Sequence, residues 1–147
     1  MAKSILFVCL GNICRSPIAE GVAREIANKR GMDLTIDSCG LSGLYVRETP
    51  CSYSVHVARE HGIDISSMRA RQITYKDIGT FDLIIALDEK NRLELTQMGA
   101  RNVVKLGTFG YNGEDIPDPH LFPSYEGVDE VYEIIEVCVT NLFDEML

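Results

Sequence analysis

The chain has 147 residues, a formal charge of −8 and 46% hydrophobic residues, enough for one domain over residues 1–147 with a substantial core. The acidic balance argues against nucleic acid as a partner, and no apolar run is long enough to insert into a membrane. Lys3 followed by apolar residues imitates a secretion signal, but the run is too short and Val8 is not small, so the expectation is a cytoplasmic protein. The five cysteines, Cys9, Cys14, Cys39, Cys51 and Cys138, lack zinc-type spacing, and an odd count in a leaderless chain points to reduced thiols.

In chain order, Ser4-Ile5-Leu6-Phe7-Val8 reads as a buried strand. Pro17 suits the first position of a helix on which Ile18, Ala19, Val22, Ala23, Ile26 and Ala27 recur at helical spacing, with Gly31 at its end. Residues 34–38 read as a second strand, and a second helix runs from about Ser52 to Gly62. After a helical turn at residues 75–78, residues 81–87 are apolar except for Asp82, the pattern of a strand covered on both faces. Residues 88–98 predict a helix stopped by Gly99, residues 103–106 the last strand, and a final helix from about Val128 buries Val131, Ile134, Ile135, Cys138 and Leu142. Such alternation predicts an α/β fold: a four-stranded parallel sheet with helices on both faces, in three layers, joined by right-handed crossovers. Ligands in such folds bind beyond the carboxyl ends of the strands, where the loop after the first strand lies.

That loop is Cys9-Leu10-Gly11-Asn12-Ile13-Cys14-Arg15-Ser16-Pro17. A thiolate attacks phosphorus, and a helix N-terminus with a nearby guanidinium stabilises its charge. The same unpaired amides hold the oxygens of a phosphate dianion, with Arg15 forking onto two of them, as a lysine would not. Gly11 lets the backbone curl inward, Asn12 tolerates a left-handed conformation, and Ser16 either caps the helix or donates its hydroxyl to Cys9. Cys14, on the same loop, is placed to trap an oxidised Cys9 as a disulfide; a packed thiol at the helix start is the alternative.

The complete run resembles the signature of the low-molecular-weight protein tyrosine phosphatases of bacterial type, and the resemblance covers nearly the whole chain. It implies a strand order of 2-1-3-4, Cys9 as nucleophile, Arg15 as phosphate ligand, Ser16 assisting the thiolate and Asn12 holding the loop, with Leu10, Gly11, Ile13 and Cys14 completing the cradle. Ile116-Pro117-Asp118-Pro119 resembles the family's late Asp-Pro loop, which makes Asp118 the general acid and Asp115 its neighbouring competitor. Asp37-Ser38 matches a position whose serine bonds the loop asparagine, so Ser38 is expected to brace Asn12. No metal or other cofactor is implied, because Arg15 and the amides neutralise the phosphate. The implied partner is a phosphotyrosine protein, with bacterial tyrosine kinases of polysaccharide export as candidates.

Departures from the family pattern fall on the pocket walls. Leu44 stands where many members carry an aromatic residue and is followed by Tyr45; His120, Leu121 and Phe122 follow Asp118-Pro119 where relatives have tyrosine. The walls are therefore expected from Leu44, Tyr45, His120 and Phe122. Met68 precedes Arg69-Ala70-Arg71-Gln72 where some relatives have a supporting histidine, while His56 and His61 read as ordinary helix residues. Two other activities on the same scaffold are alternatives. A protein-arginine phosphatase is disfavoured by Ile13, since relatives acting on phosphoarginine tend to carry threonine there. An arsenate reductase needs additional late cysteines, and none lies between Cys51 and Cys138. A noncatalytic phosphate-binding module would not need both Cys9 and Asp118.

Overall fold

Behind Lys3 the apolar run becomes β1 (Ser4–Cys9), in which Ile5, Leu6, Phe7 and Val8 have no solvent exposure. Burying each such side chain is worth about 1.5–3 kcal/mol, so the loop that follows hangs from a strongly anchored strand. The computed structural model describes residues 2–119 and 125–147.

Around β1 stand β2 (Thr35–Gly40) on one side and β3 (Leu83–Ala86) on the other, with β4 (Val103–Lys105) beyond β3. The order is 2-1-3-4 and every pairing is parallel, as expected. Side chains alternate across β1. Ile5, Phe7 and Cys9 face a core shared with α1 (Arg15–Lys29), α2 (Ser52–Glu60) and α5 (Tyr125–Met146), whereas Leu6 and Val8 face a smaller core with Leu95 of α4 (Glu89–Gln97). Helices therefore cover both faces. The short α3 (Tyr75–Thr80) is held by reciprocal capping, in which Thr74 Oγ1 accepts from the Asp77 amide and Asp77 Oδ2 from the Thr74 amide.

Element boundaries differ from the sequence expectation in several places. Helix α1 begins at Arg15, so Pro17 is its third residue; a proline is tolerated there because amides of the first turn have no intrahelical acceptor. Cys14 is the N-cap residue and no side chain caps the helix, so Ser16 is not a cap. Strand β2 runs on to Gly40, pairing with Cys9. Strand β3 starts at Leu83 because Asp82 is drawn to the chain start, accepting from the Lys3 amide at 2.8 Å while its own amide donates to Ser4 Oγ at 2.9 Å. A 3-10 turn, Leu106–Phe109, follows β4, and α5 begins at Tyr125.

Candidate active site

Strand β1 delivers Cys9, 3% exposed, to the carboxyl end of the sheet. Its Sγ accepts from the Asn12 amide at 3.2 Å and lies 3.0 Å from Ser16 Oγ. Asn12 Nδ2 donates to Ser16 Oγ at 2.8 Å and to Ser38 Oγ at 2.9 Å, and the Ser38 hydroxyl donates to Glu20 Oε1 at 2.6 Å. As a thiolate the Cys9 sulfur has no proton to give, so in that form the Ser16 hydroxyl donates to it and the Asn12 amide is the second donor. Asn12 is itself buried, takes φ = 59°, and accepts from the Arg71 amide through Oδ1 at 3.0 Å. The left-handed residue of the loop is therefore Asn12, whose short polar side chain holds it there, and not Gly11. Gly11 instead leaves room for a neighbour, since a Cβ on it would lie 2.8 Å from Tyr45 Cδ2. Gly40 is the tighter position: a Cβ there would come within 2.8 Å of the Leu10 carbonyl, so only glycine lets β2 lie against the loop.

Arg15, first residue of α1 and buried, makes two contacts through Nη1, with Asp88 Oδ2 at 3.1 Å and the Ile116 carbonyl at 2.9 Å. Asp88 also caps α4 by accepting from the Asn91 amide at 2.7 Å, so one carboxylate fixes both the helix start and the guanidinium. The Ile116 contact draws the segment leading to Asp118 against Arg15. Of the two candidate acids, Asp115 is committed elsewhere: it accepts from Lys105 Nζ and from the Glu89 amide, both at 2.8 Å, and the Lys105 hydrogen bond outweighs a small burial effect to hold its carboxyl below the usual range. Asp118 lies on the side of Tyr53, whose hydroxyl is pushed up by burial and then by the neighbouring Asp118 and Tyr45. Among the expected wall residues, Leu44 is 73% exposed, and Leu10 of the loop is 52% exposed. Tyr45 lies half-buried, and His120, Leu121 and Phe122 fall outside the described residues.

Behind the loop, Met68 lines a cavity of about 170 Å³ with Asn12, Glu20 and Ser38, and the loop's outer bond comes from the backbone of Arg71. The Arg71 guanidinium forks onto Asp77 at 2.9 and 3.1 Å and reaches Asp37. Burial lowers the Arg71 pKa and raises that of Asp77, but their mutual bonds prevail, so the arginine is held above and the aspartate below its ordinary value. His56 pairs with Glu60, and His61 stacks on Tyr132 beside Asp129.

The cysteines require a correction. Cys14 is bonded to Cys51, neither reduced nor turned to Cys9. Their Cα atoms are 5.6 Å apart although 37 positions separate them, because the loop's end packs on the N-cap of α2; a residue count in one dimension carries no sign of that approach. Asp88, Glu20, Arg71 and Tyr53 likewise carry no site role in the sequence reading. Glu20 had a signal, lying one helical turn beyond Ser16 on a buried face, and Asp88 stands two residues after a strand, at the ligand end of the sheet.

Comparison with known proteins places this site in context. Residues 4–147 match the family model described as low molecular weight phosphotyrosine protein phosphatase. The chain is 38% identical to the low molecular weight protein-tyrosine-phosphatase YfkJ of Bacillus subtilis, over 95% of this chain and 92% of the relative. The crystal structure of YfkJ superposes with a TM-score of 0.85 at 32% identity, covering 100% of this chain and 98% of that one. The crystal structure of DARP, a drosophila arginine phosphatase, is similar at a TM-score of 0.88 and 30% identity, with 95% of each chain covered.

Proposed function

Since the chain belongs to the low molecular weight phosphotyrosine protein phosphatase family, we propose that it hydrolyses phosphotyrosine in proteins, as a phosphoric monoester hydrolase working through a phosphocysteine on Cys9. The observation that carries this reading is the pair of donors aimed at the Cys9 sulfur from Asn12 and Ser16. In the proposed first step the Cys9 thiolate attacks phosphorus, the bond to the tyrosyl oxygen breaks, and Asp118 gives that oxygen its proton. In the second, water attacks the phosphocysteine, the Asp118 carboxylate takes the water's proton, and the sulfur leaves as a thiolate met by the Ser16 hydroxyl. Arg15 makes its described contacts through Nη1, which leaves the rest of its fork for the equatorial oxygens. Lined up with the loop amides, these donors bear the charge that builds on the transferring group.

The likeness to an arginine phosphatase keeps phosphoarginine as the rival substrate, and Ile13 remains the position that argues against it. The deciding measurement compares turnover of phosphotyrosine and phosphoarginine peptides by one preparation, together with Cys9→Ser. The expected result is a phosphotyrosine preference, a phosphocysteine trapped by acid quench, and a Cys9→Ser protein that binds phosphate but is slowed by about 10³-fold or more. Faster release from phosphoarginine would overturn the substrate, and an active Cys9→Ser protein would overturn the mechanism.

A further inference from the structure

The five cysteines sort into three environments, and only that of Cys9 is used by the reaction proposed above. Cys39 and Cys138 are fully buried, and burial pushes both thiols up, Cys138 to about 11, so neither offers a thiolate to solvent. Cys9 is held in the loop by Asn12 and Ser16. Cys14 and Cys51 form the third environment: Cys14 is buried, whereas Cys51 is partly exposed at the N-cap of α2.

We propose that Cys14 and Cys51 are a second, thiol–disulfide exchange site beside the phosphate loop, which takes small disulfides of the glutathione class and keeps Cys14 from pairing with Cys9. Three features of the contact support it. The partly exposed Cys51 gives a small disulfide its point of entry. The two segments are clamped independently of the sulfurs, by the Cys51 amide donating to the Ile13 carbonyl at 2.7 Å and the Ser54 hydroxyl donating to the Cys14 carbonyl at 3.1 Å, so the thiols stay together when reduced. Cys51 Sγ also lies 3.0 Å from the Ile13 carbonyl, an acceptor for its S–H in that state. Finally, the bonded form carries the whole network from Glu20 through Ser38, Asn12 and Ser16 to Cys9, so oxidation of this pair leaves the loop assembled.

The exchange balances as follows. The Cys51 thiolate attacks one sulfur of the small disulfide, forming a mixed disulfide and expelling one small thiolate. Cys14, giving its proton to solvent, attacks the Cys51 sulfur, forming the Cys14–Cys51 bond and expelling the second thiolate. Two protein thiols are oxidised and one small disulfide is reduced to two thiols; an excess of the small thiol reverses both steps.

The test equilibrates the full chain in glutathione buffers from reducing to oxidising, followed by alkylation, peptide mass mapping and a phosphatase assay. Expected in the oxidised protein are a linked 14–51 peptide, a free Cys9, and turnover within about twofold of the reduced protein. Recovery of 14 and 51 unlinked in every buffer, or a 9–14 linkage, would overturn the proposal without touching the reading of the reaction, which the reduced protein reports. Cys51→Ser supplies the second arm. Reduced, it should match the parent; oxidised, with Cys14 left without its partner, it should lose about tenfold or more of its turnover, recoverable with dithiothreitol. Full turnover of oxidised Cys51→Ser would overturn the protective role. The consequence for turnover rests on the proposed role of Cys9, whereas the mapping does not.

Discussion

Between Cys9 and Ser16 the loop's polar side chains are buried and satisfied, with Asn12 making three side-chain bonds to Ser16, Ser38 and the Arg71 amide. Leu10 and Leu44, the latter expected as a pocket wall, stand 52% and 73% exposed. The floor is a network in which each member fixes the next, so removing one leaves others unpaired in a poorly hydrated place. On the proposed reading these exposed side chains form a rim, and the loss of one should cost only the contact it makes with a substrate. The proposed function thus puts chemistry and selectivity in parts of the molecule with different tolerance to change.

Four substitutions test this contrast. Arg15→Lys, on the floor, should have the largest effect, about 10²–10³-fold in kcat/KM, because an ammonium cannot hold Asp88 and Ile116 while forking onto phosphate; equality with the parent in steady-state assays would refute the fork. Asp118→Asn, on the segment joining floor and rim, should slow aryl phosphates with poor leaving groups by about 10²-fold and those with good ones far less. Equal slowing of both would argue against an acid.

Asp77→Asn probes the supports behind the floor. The Asp77 carboxyl sits below its ordinary value of 3.8, so it contributes stability above that pH and loses it as pH falls through the depressed folded value. The variant should be about 1.5–3 kcal/mol less stable at pH 7, and the gap should close in acid below about pH 4. A gap independent of pH in urea melts would show that Asp77 acts by packing alone. Leu44→Ala, on the rim, should have the smallest effect: about two- to fivefold in KM for phosphopeptides, with stability and hydrolysis of small aryl phosphates unchanged. A fall in kcat for the small substrate would move Leu44 into the floor.

Much of this was readable along the chain. The apolar stretches after Lys3 and Phe81, the helical spacing from Ile18 to Ala27 and the stops at Gly31, Gly62 and Gly99 are local signals, and they sufficed for the parallel sheet with helices on both faces. The run from Cys9 to Pro17 was readable too, since a loop between one strand and the next helix keeps its functional groups together in sequence. Strand boundaries were less so. Asp82 lies inside an apolar window, and its withdrawal from β3 depends on Lys3 and Ser4, nearly eighty positions away.

Composition and periodicity thus settled the layers, because burial of apolar faces and the twist of L-residues leave few ways to cover a parallel sheet, whereas the strand order came from the family resemblance. The pairing of Arg15 with Asp88, the seat of Glu20 beneath Ser38, and the bond between Cys14 and Cys51 came from the folded chain. Each depends on side chains from separate elements meeting within a few ångströms, and a periodic pattern reports which face is buried without reporting what lies across from it.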